Sequence, residues 1–224
     1  MSETHEGGWS LIVPVKRLRL AKTRLAPTVG DAARPALALA FAEDTVAAAL
    51  ACRAVREVLV VTDDTLAAER LVRRGARVVP DAPGGGLNAA LARGAAVLRG
   101  RAPDADVAAM NADLPALRPA ELAAVLAAAG RRPRSFLADT AAVGTTLLAA
   151  RGGSDLAPAF GGPSRAAHLA SGAAELTLDG VARVRRDVDT GDDLREALAL
   201  GVGPRTAAAV RRAARLTASA GSGR

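Results

Sequence analysis

The sequence predicts an α/β protein with a doubly wound, mostly parallel sheet and helices on both faces. Short apolar runs typical of buried strands alternate with longer segments whose apolar residues recur at helical spacing. The length of 224 residues suits one such domain. The run that begins at Val107 is followed by Asp113-Leu-Pro, and because proline cannot continue a strand, Asp113 should stand at the carboxyl end of an interior strand.

The elements follow in order along the chain. Strands are predicted at 9–13, 57–61, 77–79, 107–112, 135–138, 143–148 and 175–178. Helices are predicted at 31–52, 65–74, 88–98, 119–129 and 165–170, and two further helices begin at residues 192 and 204. Gly75 and Gly130 close two of the helices, and Pro119 opens one in its first turn. We expect a flexible leader at 1–8, a single domain at 9–205 and an Arg-rich tail at 206–224.

Composition limits the classes of partner. The net charge of +7 suits anionic ligands, whereas 2% aromatic residues offer almost nothing for stacking nucleic-acid bases. The longest apolar run, 37–52, is interrupted by Glu43 and Asp44, so no membrane span is predicted. The single cysteine, Cys52, allows no internal disulfide and favours a cytoplasmic location.

Carboxylates mark a candidate metal site. In open α/β sheets ligands bind outside the carboxyl ends of the strands, and a carboxylate such as Asp113 there can hold Mg2+ against phosphates. Asp187 and Asp189 alternate, so in an extended segment they point the same way and could join Asp113. The alternative is that Asp113 is a turn residue that caps the next helix, and that Asp187 and Asp189 only precede an ordinary helix start capped by Thr190 and Asp192.

Both lysines of the chain, Lys16 and Lys22, fall in one basic loop after the first strand, although the chain otherwise uses arginine for positive charge. Since ammonium and guanidinium groups are not interchangeable near phosphate, this loop is predicted to contact phosphate. Residues 84–88, Gly-Gly-Gly-Leu-Asn, precede a helix whose N–H groups could face an anion or a base. This loop matches neither a Walker motif nor a dinucleotide-binding turn.

A second candidate ligand region follows the metal segment. Thr145 and Thr146 lie beside Gly144, and Ser164 follows Phe160-Gly161-Gly162-Pro163. Ser164 is expected to cap the helix at 165–170 and could also bind an anion. For His168, on that helix, we expect a surface or packing role rather than catalysis.

Taken in order, six segments resemble the bacterial guanylyltransferases that make the deazaflavin coenzyme F-420, the phosphoenolpyruvate (or 2-phospho-L-lactate) guanylyltransferases. The resemblance spans Trp9 to Arg205 and is carried by Pro14-Val-Lys16, Ala21-Lys22-Thr-Arg24-Leu, Asn111-Ala-Asp113-Leu-Pro, Gly144-Thr-Thr146-Leu-Leu, Phe160-Gly161-x-x-Ser164 and Asp187-Val-Asp189-Thr. The family implies a Rossmann-like nucleotidyltransferase fold, of the kind found in nucleotide-diphospho-sugar transferases. The chain departs from the expected pattern at Gly162-Pro163, where proline should come first.

The resemblance also implies a reaction, in which the phosphate of phosphoenolpyruvate attacks the α-phosphorus of GTP and releases pyrophosphate. It implies Mg2+ at Asp113, Asp187 and Asp189, and phosphoenolpyruvate at Thr145 or Thr146, Gly161 and Ser164. GTP would meet Lys16, Lys22, Gly85, Gly86 and Asn88. A downstream deazaflavin-transferring enzyme would be a partner.

Two alternatives stay open. One is the same fold with a different acceptor: 2-phospho-L-lactate, 3-phosphoglycerate, a sugar phosphate or molybdopterin. The other is a basic nucleic-acid-binding module, which would explain the Arg-rich tail but not the separated aspartates.

Overall fold

The computed structural model describes residues 8–81 and 85–221, and within them the chain forms one seven-stranded sheet. The strands are β1 (Trp9–Pro14), β2 (Val55–Val61), β3 (Arg77–Val79), β4 (Val107–Met110), β5 (Arg134–Ala138), β6 (Thr145–Ala150) and β7 (Ala174–Glu175). Their spatial order is β3-β2-β1-β4-β6-β5-β7. All neighbouring pairs are parallel except those of β6, which runs antiparallel to both β4 and β5.

Strand register brings the predicted site segments to one edge of this sheet. Met110, at the end of β4, pairs with Leu147 near the start of β6, and Ala138, at the end of β5, pairs with Thr145. Because β6 is antiparallel, its first residues lie beside the last residues of β4 and β5. The segments that follow β1, β4 and β5 therefore meet the beginning of β6.

Helices cover both faces of the sheet, as predicted. They are α1 (Ala26–Val29), α2 (Arg34–Leu50), α3 (Thr65–Val72), α4 (Gly86–Arg101), α5 (Pro119–Ala129), α6 (Ser164–Ala170), α7 (Ala182–Arg185), α8 (Gly191–Leu200) and α9 (Pro204–Gly221). One face packs on α2, α3 and α5, and the other packs mainly on α4. Successive strand residues alternate between the two cores, with Leu11 in the first and Ile12 in the second.

Helix α4 approaches the sheet closely because it carries glycine at the contact. A Cβ added at Gly94 would lie 2.5 Å from Ile12 Cγ2 and 3.3 Å from Val61 Cγ2. The helix that follows the glycine-rich loop is therefore held tightly against the second core.

Helix α9 packs on α2, and a buried carboxylate fixes its start. Asp44 of α2 accepts hydrogen bonds from the backbone N–H groups of Arg205 (3.2 Å) and Thr206 (2.7 Å). Thr206 and Ala213 are buried, and Ala213 belongs to a third core that includes Phe41. The boundary predicted at Arg205 thus falls inside a helix whose first turns pack on the domain.

The structure differs from the predicted elements in several places. The short helix α1 was not predicted, β4 ends at Met110 rather than at residue 112, and β6 covers Thr145–Ala150 rather than 143–148. Strand β7 covers only Ala174–Glu175 rather than 175–178; the next residue, Leu176, still donates its N–H to Phe136 of β5 (2.8 Å), and its carbonyl accepts from the Arg185 guanidinium. The short helix α7 was not predicted; the N–H of its residue Arg183 donates to Glu121, which is 62 residues away. The prediction that Ser164 caps α6 is wrong, since Pro163 occupies the N-cap and no side chain caps the helix.

Across the described residues, none of the helices combines the length and apolar character that a bilayer crossing demands.

Candidate active site

A cavity of about 600 Å³ lies at the edge of the sheet where the predicted segments meet. Its lining combines apolar side chains with cationic, acidic and hydroxyl groups, as expected of a pocket for a charged small molecule. The predicted residues that line it are Lys16, Lys22, Asp113, Thr145, Gly161, Ser164, Asp187 and Asp189. A depression of similar volume at the opposite edge, beside Asp104, Asp106 and Arg131, contains none of them.

Tertiary contacts shape the basic loop that follows β1. The loop forms two short 3-10 helices, Leu18–Leu20 and Thr23–Leu25. The Leu18 N–H donates to Asp64 (2.9 Å), and Arg34 donates to the carbonyl of Ala21 (2.5 Å). Between the two helices Lys22 takes the left-handed conformation, with φ of 57°, which residues other than glycine seldom adopt.

This conformation directs the Lys22 ammonium between two predicted metal ligands. Lys22 Nζ forms ion pairs with Asp113 and, at 2.6 Å, with Asp189 Oδ1. The Lys22 side chain is 11% exposed and that of Asp113 19%. Burial alone would lower the pKa of Lys22, but Asp113 and Asp189 outweigh it and raise this pKa above its ordinary value.

Asp187 is the third acidic group of this cluster. The Asn111 side-chain amide donates to its Oδ2 at 3.5 Å. Burial, together with the neighbouring charges of Asp113 and Asp189, raises the pKa of Asp187 well above its ordinary value. Three carboxylates therefore share a partly buried region in which Lys22 supplies one compensating charge.

Of the predicted caps, Thr190 is confirmed, Asp193 takes the place predicted for Asp192, and Asp113 caps no helix. The N-cap of α5 is Arg118, and no side chain caps that helix, so Asp113 does not. Helix α8 is capped by Thr190, in a reciprocal capping box with Asp193, so Asp187 and Asp189 are not needed for it.

The chemistry of this cluster suits a hard cation. Asp113 Oδ1 is buried and has no hydrogen-bond partner in the described part of the chain, and an unpaired buried carboxylate oxygen is costly. As the side chains stand, no group of three or more His, Cys, Asp or Glu residues within 8–81 and 85–221 is already arranged around one ion point. Holding one metal ion with all three carboxylates would therefore require some of these side chains to change their positions.

Thr145 and Thr146 occupy different environments. Thr145 lines the cavity, whereas Thr146 is fully buried outside it, and its hydroxyl has no hydrogen-bond partner among the described residues. Of the two threonines, therefore, Thr145 faces the cavity.

The acceptor loop, which we define as residues 156–163 and name for its predicted ligand, contributes Phe160, Gly161 and Gly162 to the lining of the cavity. Gly161 and Gly162 take positive φ angles of 103° and 51°, and an added Cβ would meet nothing within 4 Å at either. Proline, which the family pattern predicts at position 162, could not adopt the positive φ angle that Gly162 has here. The proline of this chain stands one position later, at Pro163. Ser164 is buried at the end of this loop.

The predicted glycine-rich GTP loop is placed differently from the rest of the site. Gly84 lies outside the described residues. Gly85 is the N-cap of α4 and Gly86 its first residue, and none of the predicted residues Gly85, Gly86 and Asn88 lines the cavity. The Asn88 amide donates to the carbonyl of Phe160 (3.0 Å) and accepts from its N–H (2.8 Å). In the structure Asn88 therefore holds the acceptor loop.

The sequence indicated no hydrogen-bonding role for two residues that organise this part of the cavity. Asp139 lines the cavity and accepts from the N–H groups of Val143 and Gly144, which fixes the turn before Thr145. His168 is fully buried and hydrogen-bonds Thr145, as described below. The position of Asp139 at a strand end was a usable signal, whereas nothing local pointed to a polar partner for His168.

Comparison with known proteins agrees with this geometry. Residues 9–220 match the family model described as "Guanylyl transferase CofC like". The chain is 67% identical over 204 residues to the phosphoenolpyruvate guanylyltransferase of Streptomyces coelicolor, covering 91% of this chain and 96% of that one. It is 62% identical over 200 residues to the protein of the same name from Thermomonospora curvata, with coverages of 89% and 87%.

Solved structures share the fold at low identity. A 4-diphosphocytidyl-2C-methyl-D-erythritol synthase from Anaerococcus prevotii superposes with a TM-score of 0.55 at 14% identity, covering 86% of this chain and 95% of that one. A CMP:2-keto-3-deoxy-manno-octonic acid synthetase complexed with CTP gives 0.51 at 14%, with coverages of 86% and 98%. The predicted nucleotidyltransferase fold is confirmed, and the family match over nearly the whole domain shows that this chain belongs to the CofC-like guanylyltransferases.

Proposed function

We propose that this protein transfers GMP from GTP to phosphoenolpyruvate, forming enolpyruvyl-diphospho-5'-guanosine and pyrophosphate. The observation that carries the proposal is the convergence on one cavity of two lysines, four aspartates (the predicted metal ligands and Asp139), the Thr145 and Ser164 side chains and the glycines of the acceptor loop. Such a cavity offers separate surfaces to two anionic reactants, as the transfer requires.

The division of roles follows the positions of the side chains. Lys16 and Lys22 neutralise the phosphates of GTP, while Thr145, Gly161 and Ser164 hold phosphoenolpyruvate. Gly85 and Gly86, at the start of α4, approach the base or ribose of GTP. Asn88 acts on the acceptor side, through the backbone of Phe160.

Asp113, Asp187 and Asp189 are proposed to hold Mg2+, for which oxygen ligands are the preferred partners. The unpaired oxygen of Asp113 and the raised pKa of Asp187 support a cation at this position. When bound, Mg2+ supplies positive charge to the phosphates undergoing transfer. Lys22, which lies beside Asp113 and Asp189, would add its own positive charge to the same phosphates.

The reaction needs no general base, because the attacking phosphate of phosphoenolpyruvate is already anionic. Catalysis then consists of bringing two polyanions into line and stabilising the charge that accumulates. The residues of the cavity suit this task. His168, which is buried and fully engaged with the chain, is not available as a base.

The acceptor is assigned as phosphoenolpyruvate because relatives 55–67% identical to this chain carry that name. The second candidate is 2-phospho-L-lactate, which differs only in saturation at the carbon that bears the phosphate. The product places the enzyme in coenzyme F-420 biosynthesis, in the cytoplasm, with a deazaflavin-transferring enzyme as the consumer of its product.

Pyrophosphate release from GTP, measured with each acceptor in turn, tests this proposal. With Mg2+ present we expect turnover with phosphoenolpyruvate at a kcat/KM at least about tenfold above that with 2-phospho-L-lactate, and removal of divalent ions by chelation should stop it. Asp113→Asn should reduce kcat by at least about 100-fold with little change in Tm. The exposed Asp192, outside the cavity, offers a control in Asp192→Asn, which should keep full activity. Full activity of Asp113→Asn would contradict the metal assignment, and absence of turnover with either acceptor would contradict the function.

A further inference from the structure

His168 is a buried polar side chain to which the proposed chemistry assigns no role. Its exposed fraction is 0%, and its ring lies between two phenylalanines, with centroids 5.5 Å from Phe136 and 5.2 Å from Phe160. Both ring nitrogens are engaged. Nδ1 lies 2.9 Å from Thr145 Oγ1, and Nε2 accepts a hydrogen bond from the Ala159 N–H at 3.0 Å.

These two contacts determine where the imidazole carries its proton. A backbone N–H can only donate, so Nε2 must be unprotonated to accept from Ala159. In a neutral imidazole the proton is then on Nδ1, and Nδ1–H must donate to Thr145 Oγ1. Burial, with a smaller contribution from the charge of Arg134, lowers the pKa of His168 from 6.5 to about 4, which keeps the ring neutral at neutral pH.

The direction of this hydrogen bond decides what Thr145 can do. A hydroxyl that accepts from Nδ1–H keeps its own hydrogen for a second partner. Within the described residues Thr145 Oγ1 makes no other hydrogen bond, and the side chain faces the cavity. The Thr145 hydroxyl is thereby committed to donating toward the cavity, which suits an anionic oxygen and not another donor.

The same imidazole also fixes the acceptor loop. Ala159 is held by Nε2, and the next residue, Phe160, is held through both its N–H and its carbonyl by Asn88. Gly161 follows directly; its positive φ angle suits glycine, and it lines the cavity. His168 thus connects the Thr145 hydroxyl with the acceptor loop, and both contribute to the lining of the cavity.

We propose that His168 is a positioning residue for the acceptor: through Nδ1–H it makes the Thr145 hydroxyl a donor to an anionic oxygen of the acceptor, and through Nε2 it holds the loop that presents Gly161. The inference rests on the proposed function for the identity of the acceptor. The hydrogen-bond direction itself depends only on the chain.

The first test measures the tautomer directly. The chain has two histidines, His5 and His168, so in His5→Gln protein labelled with 15N-histidine every ring signal belongs to His168. At pH 7 we expect a neutral ring with a protonated Nδ1 and an unprotonated Nε2, in the presence and absence of phosphoenolpyruvate. A protonated Nε2, or an imidazolium, would overturn the proposal. This measurement requires no turnover, so it is independent of whether the proposed function is correct.

The second test separates positioning from general structural support. His168→Phe, which removes both nitrogens, is expected to raise KM for phosphoenolpyruvate about 10- to 100-fold, the effect of one hydrogen bond to a charged group. KM for GTP should change less than about twofold, since the altered groups face the acceptor. His168→Asn, whose amide can still donate near the position of Nδ1, should recover part of the loss.

A double-mutant cycle with Thr145→Val completes the design. If His168 acts through Thr145, the double variant Thr145→Val/His168→Phe should be less impaired than the product of the two single effects, by at least about threefold. Three results would show a purely structural role for His168 and overturn the proposal. These are additive effects of the two substitutions on KM, an equal rise of KM for GTP and for phosphoenolpyruvate, and a KM of His168→Asn no lower than that of His168→Phe. If His168→Phe does not fold, the tautomer measurement on the otherwise unaltered chain decides.

Discussion

Acidification should weaken the fold specifically through His168. The pKa of this imidazole is lowered from 6.5 to about 4 by burial and by the charge of Arg134. Between these two values the unfolded chain binds a proton that the folded protein cannot accept, so the free energy of unfolding falls as pH decreases. The full difference corresponds to about 3 kcal/mol, most of which should be lost by pH 4.5.

The measurement is urea unfolding followed by circular dichroism at several pH values between 8 and 4.5. Carboxylates such as Asp187 also titrate in this range, so the informative quantity is the difference in unfolding free energy between the unaltered protein and His168→Gln. That difference should shrink by about 2 to 3 kcal/mol from pH 8 to pH 4.5. His5→Gln is the matched control and should follow the unaltered protein.

A difference that stays constant within about 0.5 kcal/mol over this range would refute the reasoning. It would mean that His168 takes up its proton equally in the folded and unfolded states. The hydrogen bond from Ala159 to Nε2 would then not be maintained in solution, and the direction assigned to the Thr145 hydroxyl would lose its basis.

Three other perturbations have defined outcomes. Lys22→Met should lower kcat for pyrophosphate release by at least about 100-fold, because the charge beside the transferred phosphates is lost; steady-state kinetics with saturating GTP measures this. Gly94→Ala should destabilise the protein by about 1 to 3 kcal/mol, since the new Cβ would lie 2.5 Å from Ile12 Cγ2. Gly100→Ala, in the same helix, places its Cβ where nothing lies within 4 Å, and it should stabilise the protein by about 0.5 to 1 kcal/mol. Urea titrations compare the two, and equal effects would contradict the close packing of α4. Asn88→Ala should lower the free energy of unfolding by about 2 kcal/mol and raise KM for the acceptor, because the N–H and the carbonyl of Phe160 lose their partner. An effect confined to KM for GTP would assign Asn88 to the nucleotide instead.

Much of the site could be predicted because its signals are local. Pro115 excludes a strand that continues past Asp113, and β4 in fact ends earlier, at Met110. Because the carboxyl ends of parallel strands share an edge, the placement of this carboxylate just beyond a strand end followed from the sequence. The two lysines of the basic loop stood out because the rest of the chain uses arginine. The family resemblance added the roles, and the matched residues 9–220 confirm the family.

Other features depended on contacts between distant segments. Neighbouring residues of a strand point to opposite faces, so either Thr145 or Thr146 had to face the cavity, but the choice required the register with β5 and β4. The left-handed conformation of Lys22 leads to partners 91 and 167 residues away. No local pattern encodes such a pairing.

The sequence alone determined the alternation of strands and helices, the fold class and the chemical character of the site, because these depend on spacing and turn stereochemistry over a few residues. The tertiary structure decided that Lys22 lies between Asp113 and Asp189, that Asn88 holds Phe160, and that His168 sets the direction of the Thr145 hydroxyl. Hydrogen-bond direction and ion pairing depend on which groups are brought within about 3 Å of each other, and strand register and helix packing decide this only when the whole chain has folded.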